Sequence, residues 1–136
     1  MATWQEVARL ALALPETAES TSYGNVAWKV RGKGFVWERP LRASDLKALG
    51  DESPPAGPIL AAYVDGLAEK EAVLAAYPDC CFTIAHFDGF PAVLVLLDEI
   101  DPGRLEELVV DAWLARAPRM LAAEYLATHP EKGSDE

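Results

Sequence analysis

The first apolar positions of the chain recur at helical spacing: Trp4, Val7, Leu10, Ala11 and Leu14 fall on one side of a 3.6-residue period. Thr3 and Glu6 stand before them as a capping box, two side chains that satisfy orphan amides at a helix start. Pro15 ends the helix. A stretch rich in Glu, Ser and Thr follows and reads as a polar loop up to Tyr23-Gly24-Asn25. The period then changes to 2. Val26, Trp28 and Val30 alternate with Ala27, Lys29 and Arg31, and Phe35 and Trp37 continue the alternation on a second strand. Gly32-Lys33 is placed as the tight turn between them, with glycine supplying the positive φ. This predicts a hairpin with an aromatic inner face and a basic outer face.

Further along, Ser44 is placed to cap a short helix that Gly50 ends. Asp51 to Pro58, with Ser53-Pro54-Pro55 and Gly57-Pro58, reads as a surface loop, because proline and glycine defeat both helix and ladder. Ile59 to Val64 predicts a third strand and Leu67 to Tyr77 a helix stopped at Pro78. Cys80 to Phe87 reads as a strand, Asp88-Gly89 as a two-residue hairpin turn, and Ala92 to Leu97 as another strand. That last run is almost continuously apolar, which predicts burial on both faces. Pro91 stands at its start, where a missing amide is tolerated. Asp101-Pro102 opens the last long helix as N-cap and first helical residue, with Leu105, Leu108, Val109, Ala112 and Trp113 on its inner side. Pro118 kinks that helix or begins a separate one. The order α-β-β-(short α)-β-α-β-β-α gives an α+β fold. Its antiparallel sheet has about five strands, from two hairpins plus one strand, with helices packed on it. Residues 1–130 read as a single domain and residues 131–136 as a charged tail.

A chain of 136 residues with a hydrophobic share of 51% suits one core. No apolar run approaches the ~18–20 residues of a membrane span. The N-terminus lacks the basic-then-apolar order of a signal peptide. The two cysteines are neighbours, Cys80 and Cys81, an arrangement ill suited to a disulfide within an extended strand, so a reducing cytoplasm is the expected location. The net charge of −10 opposes non-specific binding to nucleic acid, which needs cations to displace counterions. The charge is uneven, however. Asn25 to Leu49 holds six cations (Lys29, Arg31, Lys33, Arg39, Arg42 and Lys47) against two anions (Glu38 and Asp45).

Within this basic island, Lys29, Arg31, Lys33, Arg39 and Arg42 are the candidates for gripping phosphates; the alternative is a solvated outer face. Trp28, Phe35 and Trp37 read as core rather than as base-stacking platforms, because they alternate with the cations instead of joining them. His86 and Asp88 lie two apart on the predicted strand and so share a face. They form a candidate ligand or polar site, the alternative being a half-buried strand residue beside a turn residue. One histidine and one carboxylate fall short of a metal site. Cys80 or Cys81 with His86 would resemble a nucleophile pair, but five or six residues along a strand hold them over ~15 Å apart. The acidic pairs Glu106-Glu107 and Asp98-Glu99 fit solvated helix ends. No glycine-rich phosphate loop, Cys-x-x-Cys or Ser-His-Asp signature occurs. No catalytic set, cofactor or metal is therefore expected.

Five segments carry a resemblance. Leu12-Ala13-Leu14-Pro15-Glu16 ends the first helix, and Tyr23-Gly24 precedes the first strand. Val30-Arg31-Gly32-Lys33 with Phe35 marks the first hairpin, and His86-Phe87-Asp88-Gly89-Phe90-Pro91-Ala92-Val93-Leu94-Val95 the second. Asp111-Ala112-Trp113-Leu114-Ala115-Arg116-Ala117-Pro118 lies in the last helix. In this order the chain resembles the MmcQ/YjbR-like family of small bacterial domains. The resemblance implies a fold like that of the frataxin-like CyaY proteins, and DNA binding through hairpins in a winged arrangement. The Pro-rich stretch and the acidic charge depart from that pattern. The expected function is a small non-enzymatic binding module that meets double-stranded DNA through its basic first hairpin. The second reading is a protein-interaction or small-ligand-binding domain with no nucleic-acid role. The third is an enzyme or metal binder using His86 and Asp88.

Overall fold

Thr3 caps the first helix as the sequence predicts. Its Oγ1 accepts the Glu6 amide at 3.2 Å, and Glu6 Oε1 accepts the Thr3 amide at 3.2 Å, so α1 runs Trp4–Leu12. The computed structural model describes residues 2–50, 55 and 57–129. After α1 come β1 (Thr17–Ser22), β2 (Asn25–Val30), β3 (Lys33–Glu38), α2 (Ala43–Leu49), β4 (Ile59–Tyr63) and α3 (Gly66–Ala76). β5 (Cys81–Phe82), a single 3-10 turn (Ala85–Phe87), β6 (Ala92–Leu96), α4 (Pro102–Arg116) and α5 (Arg119–Thr128) complete the order. The strands form one antiparallel sheet, β1-β2-β3-β4-β6-β5. The α+β class and the helix-covered antiparallel sheet agree with the sequence reading; the strand count is six rather than about five. Most of the Pro-rich stretch and the whole of the tail 131–136 lie outside the described residues. No described helix is long and apolar enough to cross a membrane.

The extra strand is β1, predicted as loop. It carries no apolar alternation because it is an edge strand, seated by backbone pairing from Thr17↔Val30 to Ser22↔Asn25. Tyr23 (φ 50°) and Gly24 (φ 81°) make the turn into β2, both left-handed as a type I′ hairpin requires. The next turn is Arg31-Gly32, one residue earlier than Gly32-Lys33, because Val30 pairs with Lys33. Between these strands the register slips. Trp28 pairs with Val36 but Lys29 pairs with Gly34, which leaves Phe35 as the extra residue of a bulge. The bulge resets the alternation. Phe35 and Val36 are both buried on the helix side, whereas Trp37 turns to the opposite face, across from Ala27. The predicted uniform aromatic inner face is thereby corrected: Trp28 and Phe35 are core, and Trp37 stands with the cations.

Each face of the sheet has its own core. On one, α1 and α4 pack Val7, Ala11, Leu105, Val109 and Trp113 against Trp28, Phe35, Leu60 and Val95. On the other, the segment between β5 and β6 folds back, and Ile84 and Phe87 cover Ile59, Ala61, Ala92 and Leu94. β6 is thus buried on both sides, as its continuous apolar run predicts. The strand predicted from Cys80 to Phe87 is cut short. Only Cys81 and Phe82 pair with β6, and the 3-10 turn breaks the ladder. Asp88-Gly89 does turn the chain, with the Phe90 amide on the Phe87 carbonyl at 3.0 Å. Asp88 (φ −59°, ψ 128°) and Gly89 (φ 75°) make it a type II turn inside a longer loop, not a two-residue hairpin.

Candidate ligand cleft

The loop of residues 83–91 covers β4 and β6 but stops short of β2. The strip it leaves is a cleft of ≈ 470 Å³. The β1–β2 hairpin contributes Ser22, Tyr23 and Asn25; β3 and the chain after it contribute Trp37, Glu38, Arg39 and Arg42; the loop contributes His86, Phe87 and Phe90. A second depression of ≈ 310 Å³ adjoins it, shares Ser22 and Trp37, and is bordered by Lys29, Lys33, Tyr63 and Arg116. Ring contacts join the two into one aromatic wall: Trp37–Tyr63 and Tyr63–Phe90 at 5.3 Å between centroids, Phe87–Phe90 at 5.4 Å. A larger hollow of ≈ 570 Å³ lies between α1, α4 and α5. Its charges are mixed in sign, and its His129 is stacked on Tyr125 with Nδ1 2.9 Å from the Tyr125 carbonyl. That hollow holds one guanidinium, Arg9, near Tyr125, whereas Lys29, Lys33, Arg42 and Arg116 gather around the aromatic wall of the first pair of depressions.

Two buried cations and one buried carboxylate hold the walls of the cleft. Lys70 on α3 is 7% exposed, and its Nζ donates to the carbonyls of Phe87 at 2.6 Å and Phe90 at 2.9 Å, pinning both ends of the type II turn. Burial holds its pKa below the usual lysine value, against a smaller upward pull from Asp88. Arg39 is 4% exposed; its Nη1 lies 3.0 Å from Asp45 Oδ2 and donates to the Pro40 carbonyl at 2.6 Å. Asp45 also accepts the Arg42 amide at 2.8 Å, so this carboxylate, not Ser44, caps α2. Burial alone would raise the Asp45 pKa. The Arg42 amide, the Arg39 guanidinium and nearby His86 outweigh burial and hold it below the usual carboxylate value.

The five hairpin cations therefore separate. Lys29, Lys33 and Arg42 border the two depressions, Arg42 with its guanidinium 5.5 Å from the centre of the Tyr23 ring. Arg31 is engaged with Glu16 by two parallel bonds, Nη2 to Oε2 at 2.8 Å. Arg39 lines the cleft but is neutralised by Asp45. Of the proposed phosphate-gripping set, Arg31 and Arg39 are thus occupied within the molecule. His86 is exposed and lines the cleft; Asp88 does not, and acts electrostatically on Lys70. The shared strand face predicted for this pair is absent, because neither residue is in a strand. Among the described residues, no three His, Cys, Asp or Glu side chains converge as metal ligands. Cys80 and Cys81 are buried with their sulfurs 3.9 Å apart. Burial and the neighbouring thiol push Cys81 up to about 12, which keeps it protonated and a poor nucleophile.

Tyr63, Phe90, Arg116 and Lys70 belong to the cleft and its support, and pattern reading passes them over. Each is brought in by tertiary packing. Only the bulge left a trace in the sequence: Gly34, beside Phe35, is the residue type that marks irregular strands.

A family model described as YjbR matches residues 12–115. Over 129 residues the chain is 46% identical to uncharacterised proteins of Mycobacterium bovis and of Mycobacterium tuberculosis (strains CDC 1551 and H37Rv), covering 93% of this chain and 98% of each of theirs. The crystal structure of a Deinococcus radiodurans protein, with domain DUF419, aligns with a TM-score of 0.61 at 20% identity, covering 84% of this chain and 78% of that one. At that identity the likeness speaks for the fold alone.

Proposed function

The chain belongs to the YjbR family, and from that premise we propose that it is a non-enzymatic binding module for a small anion with a flat apolar part. The cleft between the first hairpin and the β5–β6 loop is the site. One observation carries this reading: the bulge at Phe35 delivers Trp37 to the face where Lys29 stands, so an aromatic wall and a set of cations meet in one concave place. Small-ligand sites are clefts of this kind, mainly apolar with a few converging polar groups. The module is read as non-enzymatic because Ser22 and His86 line the cleft without a hydrogen bond between them among the described contacts, and the thiols are buried. The test is a titration with 1-naphthalenesulfonate, followed by NMR. Saturable one-to-one binding is expected, weakened about tenfold or more in Trp37→Ala. Binding that fails to saturate, or that ignores the loss of Trp37, would refute the site.

Duplex DNA on the hairpin is the second reading, favoured by one observation: Lys29 and Lys33 have no ion-pair partner among the described residues. It stands second because Arg31 and Arg39 are occupied and the body is acidic. A salt-dependent titration against duplex DNA decides it. Charge reversal at Lys29 and Lys33 should weaken binding and flatten the salt slope. Affinity at low salt no better than that of an acidic control protein ends this reading.

A further inference from the structure

We propose that the ligand is a nucleoside phosphate, with its base in the larger depression and its phosphate in the smaller one. This rests on the small-ligand reading of the cleft and specifies the occupant. The two depressions differ in chemistry. The larger has aromatic sides, Trp37, Phe87 and Phe90, which suit the π-face of any base. Asn25 and Glu38 stand there as donor and acceptor for a base edge. The smaller is bordered by Lys29, Lys33 and Arg116 and by no carboxylate. Arg116 is already oriented: its Nε donates to the Gly34 carbonyl at 3.1 Å, and its guanidinium lies 4.2 Å from the centre of the Tyr63 ring. A fixed guanidinium beside two lysines is a phosphate cradle, because the planar fork matches phosphate oxygens at little further loss of freedom.

The junction of the depressions, at Ser22 and Trp37, selects a molecule that joins a flat ring to a phosphate through a short spacer. A bare phosphate fills only the smaller part and a bare base only the larger. Charge limits the length of the ligand. Outside Asn25–Leu49 the chain holds six cations against twenty anions, so a polymer running past the groove meets mostly like charge. A mononucleotide ends before it does. Gly34 lines the smaller depression, and a Cβ placed on it would meet nothing within 4 Å, so that floor can be filled without disturbing the sheet.

The test titrates the isotope-labelled full chain at low salt with AMP, GMP, CMP and UMP, and with adenosine, inorganic phosphate and 1-naphthalenesulfonate as comparisons. At least one nucleotide should bind about tenfold tighter than adenosine or phosphate alone, shifting the Trp37 indole and the Gly34 amide together. The Lys29→Ala/Lys33→Ala double variant should weaken nucleotide binding about tenfold, while adenosine, which carries no charge for the lysines to meet, changes by less than about twofold. Gly34→Val, which keeps every charge, should show the same split. If naphthalenesulfonate saturates the cleft but no nucleotide exceeds phosphate or adenosine, the nucleoside phosphate is overturned and the small-ligand reading stands. If neither class binds, both fall. Affinity that climbs with length from mononucleotide to single-stranded oligonucleotide would overturn the proposal in favour of a polymer.

Discussion

The two faces of the sheet are closed by different physics. On the helix-covered face the closing groups are apolar and fully buried: Trp113, Leu105 and Val109 from α4 against Trp28, Phe35 and Leu60. Such packing fills volume and is non-directional, so no ligand fits between these side chains. On the opposite face a short loop does the covering, and directed bonds hold it. Lys70 grips two carbonyls of the loop, and Arg39 with Asp45 anchors the start of α2 next to it. Because the loop is placed by a few specific bonds, it can stop at a defined line and leave Trp37, Tyr63 and Phe90 only partly covered. Apolar packing stabilises this molecule; buried charges position its cleft.

Four substitutions probe that contrast, from the largest expected effect downward. Trp113→Ala should lose about 3–5 kcal/mol in urea denaturation, from the cavity and the lost bond to the Pro15 carbonyl. A loss below about 1 kcal/mol would mean that the helix-covered face is not the principal core. Asp45→Asn leaves Arg39 buried without its counter-ion, and about 3 kcal/mol should be lost at pH 7. The Asp45 pKa is depressed in the folded chain, so its contribution is present above the ordinary carboxylate value and disappears as pH falls through the folded one. The gap between native chain and variant should therefore close below pH ~4, and a gap independent of pH would count against the pair. Lys70→Met should cost about 1–3 kcal/mol for two carbonyls left without their donor. Hydrogen exchange should speed up at Phe90 and Asp88 while α1 and α4 stay protected; uniform acceleration would erase the distinction between the faces. Glu16→Gln removes an exposed pair with Arg31, and no measurable change in Tm is expected.

Much of the frame was legible in the sequence because its signals are local. The Thr3–Glu6 capping box, the Asp101-Pro102 helix start and the apolar run of β6 each act within a few residues, and each appears where predicted. β1 escaped because an edge strand needs no hydrophobic alternation. The cleft was legible only in fragments. Arg39 and Arg42 stand out in the sequence as basic-strip cations and His86 as half of a polar pair, and the fold brings the three together. Trp37 was assigned to the core because strict alternation holds only until a bulge inserts a residue. The role of Lys70 depends on carbonyls seventeen and twenty residues away, which no spacing rule encodes.

Lys70 also has a mechanical consequence. α3 packs Val73 and Leu74 into the helix-side core, while the carbonyls that Lys70 holds belong to the loop on the other side. One side chain thus stitches the two layers together around the end of the sheet. Through these two bonds the position of α3 along its axis sets where Phe87 and Phe90, one wall of the cleft, stand.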